Sequence, residues 1–219
     1  MGVLLMLMTI GGLVVAAILF LVSIATRKTW LRNFVFGGVT VWFVFYFAML
    51  LGFSAASEEK ELGLNEPKAF CGFYLDCHMH TAVTGVRRAK TIGNKAADGE
   101  FYIVTVKVFS DARRATIGLS TVDAHVVDAE GRTYPRDIQA EEQLGEQLPF
   151  EEKVAAGAEF DKQIAFDLPS DVENPRLDIT EGYGIDRVLE VVLVGDEDSI
   201  FHKRNYFRLS VQAEAAGLR

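Results

Sequence analysis

The feature that most constrains the fold is an uncharged apolar run at the N-terminus, followed closely by a second one. Residues 2–26 and 34–56 contain no charged side chain. As a helix, the first run extends about 37 Å, which exceeds the roughly 30 Å hydrocarbon core of a bilayer and predicts a tilted span. Residues 1–56 are therefore predicted to form a transmembrane helical hairpin with spans at about 2–26 and 34–56.

A cleaved signal peptide is the competing interpretation of the first run. Signal peptides have a basic segment before an apolar stretch of roughly 7–15 residues. In this chain the apolar stretch is longer, the positive charges follow it, and a second run comes immediately afterwards. The residues therefore favour two spans.

The short connection between the two runs predicts their orientation. Residues 27–33 contain Arg27, Lys28 and Arg32 and no acidic residue, whereas Glu58 and Glu59 follow the second run. Loops that carry Lys and Arg remain on the cytoplasmic side. We expect a two-pass protein of a bacterial inner membrane, with both termini on the periplasmic or extracellular side.

The charge of the remaining chain excludes some partners. The first 56 residues hold three of the 22 basic residues and none of the 30 acidic ones. The other 163 residues therefore carry 19 basic and 30 acidic side chains, a net charge of −11. Nucleic acids and anionic lipid headgroups select basic surfaces, so neither is expected to bind this part.

The surfaces of the two predicted spans carry small and aromatic residues. Small residues allow helix backbones to approach closely, either within the hairpin or against another protein. The candidate packing or partner residues are Gly11, Gly12, Ala16, Gly37, Gly38, Trp42, Phe43 and Phe47. The rings of the second span suit lipid, a partner, or a flat pigment or quinone. Neither span contains an ionisable residue, which argues against an ion pathway built by this chain alone.

Beyond residue 77 the apolar pattern changes to a period of two, which is typical of strands. Candidate strands are residues 78–86, 101–109, 115–119, 122–128, 160–168, 176–180, 188–194 and 206–211. Turn sequences such as Ala129-Glu130-Gly131 separate them, and residues 138–153 are expected to form a long loop or a short helix. We therefore expect residues 57–77 to form a linker and residues 78–219 to form an immunoglobulin-like β-sandwich. The predicted class is a membrane-anchored all-β protein.

Four motifs in this region occur in a recognisable order. They are GEFYIVTVKV, the hairpin D-x-x-G-R-x-Y, EFDKQIAFDLP and RLDITEG. Their order resembles the telokin-like, immunoglobulin-like extracellular domain of bacterial membrane-anchored proteins and lipoproteins, a family of unknown function. The resemblance covers about residues 81–182 and implies a sandwich outside the cell, without catalytic residues. This chain departs from the family pattern in its two spans and in an extra stretch at residues 183–205.

The two cysteines, Cys71 and Cys77, lie just after the predicted spans. In an oxidising compartment the nearby pair is expected to form a disulfide. An alternative is a copper, zinc or thiol-redox site formed by Cys71, Cys77, His78 and His80, since the two histidines would share one face of a strand. Neither a C-x-x-C sequence nor a hydrolase, phosphate-binding or dinucleotide-binding motif occurs.

These patterns predict a non-enzymatic function. The expected function is that of an accessory subunit of a larger respiratory, photosynthetic or transport complex in the membrane, without a cofactor other than a lipid or pigment on the second span. The alternative function is metal handling or thiol redox chemistry at the cysteine and histidine cluster.

Overall fold

The computed structural model describes residues 2–70, 77–181 and 190–209. The chain divides into two compact units. One comprises Met1–Glu58 with Gly184–Arg204, and the other comprises Glu59–Tyr183 with Asn205–Arg219. The described residues form three helices and nine strands.

The first unit contains the two apolar helices, α1 (Gly2–Ala25) and α2 (Thr29–Ala56). Both are long and apolar enough to cross a membrane. Most of their side chains are exposed, unlike those of a core helix in a soluble protein. Helix α2 begins before the predicted span, at Thr29, and ends where the Ser57 hydroxyl and backbone N–H both donate to the Ser54 carbonyl.

The second unit is a β-sandwich of two sheets. One sheet has the strand order β1-β9-β8-β5-β6 and the other has the order β2-β3-β4-β7. The strands are β1 (Lys60–Leu62), β2 (Lys68–Phe70), β3 (Met79–Ile92), β4 (Lys95–Ser110), β5 (Val122–Val127), β6 (Thr133–Pro135), β7 (Glu159–Leu168), β8 (Arg176–Glu181) and β9 (Asn205–Arg208). All described pairings are antiparallel except that of β1 with β9. The predicted sandwich is thus confirmed.

Strand β4 is buried on both faces. Tyr102 and Val104 point into the core between the sheets, as their alternation predicts. Phe101 and Ile103 point the other way, onto a smaller cluster that includes Ala140 of the short helix α3 (Ile138–Glu142). The expected short helix in residues 138–153 is therefore present, and it covers the outer face of this sheet.

The free edge of β7 is covered by side chains rather than by another strand. The Gln163 N–H donates to the Gln147 Oε1 at 2.5 Å, and the Ala165 N–H donates to the Glu141 Oε1 at 3.2 Å. The Ala165 carbonyl accepts from the Asp137 N–H at 2.8 Å. These contacts occupy backbone groups that would otherwise recruit a strand from another chain.

Three predicted segments differ in the structure. The expected linker contains β1 and β2, so it is part of the sandwich. Residues 115–119 form only an isolated bridge, between Ile117 and Val154. The described part of the predicted strand 188–194 forms turns instead, because residues 190–204 pack in the helical unit.

Candidate functional site

The two helices contact each other along a narrow stripe of residues on each helix, and these stripes form the seam of the hairpin. On α1 the buried residues are Met6 and Ser23, and on α2 they include Val35 and Tyr46. Spacings of about 3.5 residues are typical of helices that pack nearly antiparallel. The seam is therefore specified by positions other than the glycine pairs.

Trp42 belongs to this seam. Its indole Nε1–H donates to the Thr9 Oγ1 at 3.0 Å, and it lies half-buried. Phe20 and Phe36 meet edge to face nearby, with ring centroids 5.4 Å apart. Trp42 thus takes part in helix packing through its polar atom, and its contact with lipid or a partner stays a prediction.

The space beside the glycine pairs is open. Among the described residues, no atom beyond the local helix lies within 4 Å of a Cβ built on Gly11, Gly12, Gly37 or Gly38. The hairpin therefore does not use these glycines for its own close packing, whereas Ala16 is half-buried near the seam. The interpretation that these glycines contact another protein stays a prediction.

Phe43 and Phe47 form the exposed aromatic part of the second helix. Their rings are stacked, with centroids 6.4 Å apart, and they are 37% and 53% exposed. The exposed surface of α2 thus carries a flat aromatic pair and, on a different side of the helix, backbone that is open at Gly37 and Gly38. Such a surface suits close contact with another helix or a flat ring.

Residues 190–204 pack against the C-terminal part of α2. The Tyr46 hydroxyl donates to the Val192 carbonyl at 2.6 Å, and the Lys203 N–H donates to the Ser57 Oγ at 2.9 Å. Val194 packs on Tyr46 and Leu50 in a small apolar cluster. Sequence reasoning identified this stretch only as an addition to the family pattern. The feature that could have predicted its packing on α2 is the set of hydroxyl groups on the same helix face as Leu50.

The histidines of the predicted metal cluster converge on one carboxylate. The His78 Nδ1 lies 2.6 Å from Asp111 Oδ1, and the His80 Nε2 lies 3.4 Å from Asp111 Oδ2. The hydrogen bond from His78 holds the pKa of Asp111 below its usual range. The imidazole of His80 also stacks on Phe109, with centroids 5.0 Å apart. Sequence reasoning placed the histidines together but missed Asp111.

This group is incompletely described, since Cys71 lies outside the described residues. The predicted disulfide with Cys77 and the alternative metal or redox site therefore stay predictions. Within residues 2–70, 77–181 and 190–209, no three His, Cys, Asp or Glu side chains are grouped to hold a metal ion.

The D-x-x-G-R-x-Y hairpin is held by a buried carboxylate. Asp128 accepts hydrogen bonds from the backbone N–H groups of Glu130 and Arg132, from the Arg132 side chain and from the Tyr134 hydroxyl. Burial raises the pKa of Asp128, but these four bonds outweigh it and bring the pKa to about 2. Gly131 has φ +80°, which favours glycine there. The motif therefore has a structural role.

A cleft of about 640 Å³ on the sandwich is lined by polar groups that already have partners. Asp167 accepts from the Asp98 and Gly99 N–H groups at 2.7 and 3.0 Å. Asp137 pairs with Lys95 at 2.6 Å and caps α3 through the Ala140 N–H. These carboxylates serve the fold, and we assign the cleft no ligand.

The geometry defines a two-sheet β-sandwich that follows two long apolar helices. The chain belongs to the family described as domain of unknown function DUF4352, whose model matches residues 76–187. The helices and residues 190–204 lie outside the matched part. No curated protein is a significant match.

Solved structures with a similar sandwich come from three bacteria. MPT63, a secreted protein of Mycobacterium tuberculosis, is 12% identical with a TM-score of 0.44 and matches 70% of this chain and 99% of its own. An uncharacterized β-sandwich protein of Clostridium difficile 630 is 7% identical with a TM-score of 0.40, over 70% and 96% of the two chains. The yjhA protein of Bacillus subtilis is 14% identical with a TM-score of 0.37, over 52% and 77%.

Proposed function

We propose that this protein is a non-enzymatic accessory subunit of a larger complex in a bacterial inner membrane. In this proposal α1 and α2 span the bilayer, with Arg27, Lys28 and Arg32 in the cytoplasm. The immunoglobulin-like sandwich then stands on the periplasmic or extracellular side. The partner is another membrane protein of a respiratory, photosynthetic or transport complex.

The observation that carries this proposal is the open glycine surface. The hairpin closes through the Thr9–Trp42 hydrogen bond and the Phe20–Phe36 ring contact and leaves Gly37 and Gly38 unused. Small residues in a membrane helix favour close helix association. The unused small-residue surface at Gly37 and Gly38 is therefore suited to a helix of a partner, with lipid or a pigment as the other candidate contact.

Pairing of a partner strand with the edge of β7 is a weaker route to complex formation. The edge of β7 is covered by Gln147 and Glu141, and the outer face of its sheet is covered by α3. We therefore assign the main docking role to the helices and not to this side of the sandwich.

The test is purification of the protein at native expression level in a mild detergent, with identification of what co-purifies. Gly38→Leu is the informative variant. The space around Gly38 is open in the hairpin, so a larger side chain is accommodated there but obstructs a close-packed partner. Val14→Leu, at a 55% exposed position of α1, is the matched control.

We expect one protein to co-purify with the wild type and with Val14→Leu, and to be reduced at least about tenfold with Gly38→Leu, which corresponds to about 1.4 kcal/mol of lost association. A monomer that retains no partner in the wild type argues against the proposal. Recovery of the same amount of partner with Gly38→Leu as with the wild type contradicts docking at the glycine surface.

An alternative function is metal handling or thiol redox chemistry at Cys71, Cys77, His78 and His80. The observation that favours it is the approach of both imidazoles to Asp111, at 2.6 and 3.4 Å. Thiol titration and elemental analysis of the purified protein test this alternative. A quantitative disulfide without bound copper or zinc rules it out, whereas free thiols with a stoichiometric metal support it.

A further inference from the structure

We propose that residues 190–204 form an interfacial element that inserts into the outer leaflet beside α2, with the lipid bilayer as its binding partner. This inference rests on the proposed membrane location of the two helices. It assigns a role to a stretch that lies outside the family match and between β8 and β9.

The position of Tyr46 along α2 sets the depth of the segment in the bilayer. Arg32 is the last charged residue before the uncharged part of α2, and Tyr46 follows it by 14 residues. At about 1.5 Å per residue, Tyr46 lies about 21 Å above Arg32, well inside a hydrocarbon core of about 30 Å. Helix tilt places Tyr46 deeper still. The Val192 carbonyl, 2.6 Å from the Tyr46 hydroxyl, therefore lies within the outer leaflet.

The contacts nearer the C-terminal end of α2 lie closer to the headgroups than Tyr46 does. Ser54, whose Oγ lies 3.4 Å from the Ser199 Oγ, is 22 residues beyond Arg32, or about 33 Å along the axis. The bond from the Lys203 N–H to Ser57 lies farther out still. Residues 190–204 thus extend from the outer part of the hydrocarbon core to the headgroups.

The segment exposes apolar side chains and partly buries acidic ones. Four of its six apolar side chains are exposed, namely Val191 by 38%, Val192 by 39%, Ile200 by 40% and Phe201 by 75%, whereas Leu193 and Val194 are buried. Asp196 and Asp198, in contrast, are half-buried within the segment. The Asp198 N–H donates to the Asp196 Oδ1 at 3.0 Å, and Asp198 pairs with Arg204 at 3.1 Å. A water-exposed loop favours the opposite arrangement.

The backbone of residues 190–204 bonds largely within the segment. Successive turns are closed by N–H donation from Leu193 to Glu190 and from Ser199 to Asp196, at 3.0 and 3.2 Å. The Ile200 N–H reaches back to the Val191 carbonyl at 2.9 Å, and the His202 N–H bonds Ser199 at 3.0 Å. Internal pairing of this kind satisfies backbone groups that lose water at a lipid interface.

The chemistry of the tip fits a lipid interface. Phe201, the most exposed of these side chains, is followed directly by His202, Lys203 and Arg204. Interfacial elements place aromatic and aliphatic groups about 5–10 Å below the headgroups, with long cationic side chains extending to the phosphates. Gly2 accommodates this segment, because a Cβ there would contact the Val194 carbonyl oxygen.

The experiment measures tryptophan fluorescence of the full chain in phosphatidylcholine vesicles with and without bromine on the upper acyl chain. Phe201→Trp and Ile200→Trp are each made in a background that carries Trp30→Phe and Trp42→Phe. Phe45→Trp, in the predicted span, is the positive control. Leu148→Trp, at a 48% exposed position of the sandwich, is the negative control.

We expect brominated lipid to quench Phe201→Trp and Ile200→Trp at least half as strongly as Phe45→Trp, and to leave Leu148→Trp unchanged. Quenching of Phe45→Trp without quenching at positions 200 and 201 overturns the inference while the membrane location stands. Absence of quenching at Phe45→Trp as well contradicts the proposed membrane function itself.

A measurement on the unaltered chain guards against misfolded variants. A phosphatidylcholine with a photoreactive diazirine near the headgroup is activated in the same vesicles, and tryptic peptides are analysed. We expect lipid adducts on the peptide of residues 188–203. Adducts confined to peptides of residues 1–56 overturn the inference.

Discussion

The Asp128 carboxylate lies at the start of a turn and accepts four hydrogen bonds, two of them from backbone N–H groups. Asp128 is 1% exposed, so its carboxylate depends on these donors and not on water. A buried polar group that loses its partner costs free energy, which explains why the turn depends on one side chain.

We predict that Asp128→Asn destabilises the sandwich and lowers its Tm by several degrees. The amide keeps one acceptor oxygen for the two backbone N–H groups and carries no charge, so the Arg132 side chain and the Tyr134 hydroxyl lose their acceptor. Glu130→Gln is the matched control, since Glu130 is 72% exposed at 3.4 Å from the same guanidinium. Thermal unfolding followed by circular dichroism measures both, and equal Tm values would contradict this role of Asp128.

The low pKa of Asp128 predicts that the stability of the sandwich depends on pH in the acid range. Its pKa is about 2 in the folded chain, below the ordinary value of 3.8. A depressed pKa means that the stabilisation is complete above the unfolded-state value and is lost as the pH falls from about 4 toward 2. We expect the difference in urea midpoint between wild type and Asp128→Asn to be largest at pH 7 and to shrink at pH 3. A constant difference would show that the charge plays no part.

At the level of elements, α3 and the edge of β7 depend on each other. Glu141 is buried, pairs with Arg136 through both oxygens, and accepts from the Ala165 N–H of β7. One carboxylate thus holds a helix, an arginine and a strand edge. Removing one partner of a buried ion pair leaves the other charge uncompensated.

We predict that Glu141→Ala destabilises the sandwich by about 3 kcal/mol. The adjacent Glu142→Ala is expected to change stability by less than about 0.5 kcal/mol, because Glu142 is exposed. Urea unfolding measures both changes, and hydrogen exchange should show faster exchange of the Ala165 amide in Glu141→Ala only. Equal effects of the two variants would be inconsistent with this account.

The long strands were predictable from sequence, and the short ones were not. In β4 the alternation of Tyr102, Val104 and Val106 persists over enough residues to define a face. Strands β1, β2 and β6 have three residues each, too few for any period to be visible. The valines after residue 187 resemble a strand locally, but packing on Tyr46 and Leu50 outweighs that preference.

At the scale of the whole molecule, the chain interrupts its sandwich to complete its helical unit. Residues 190–204 leave after β8, pack with α2, and return to β9. The sequence predicted two helices and a sandwich, and both are confirmed as folded elements. Which residues form the hairpin seam was not predictable, because Gly37, Gly38 and Trp42 are equally compatible with inward and outward positions.

The central claim is that the outward surface of α2 is itself an interaction site. A photoreactive amino acid placed at Val41, which is 70% exposed on α2, tests it most directly in native membranes. The same group at Val35, buried in the seam, is the control and is expected to crosslink only to α1 of its own chain. The account predicts that position 41 crosslinks to one distinct membrane protein, and crosslinks from position 41 to lipid alone would contradict it.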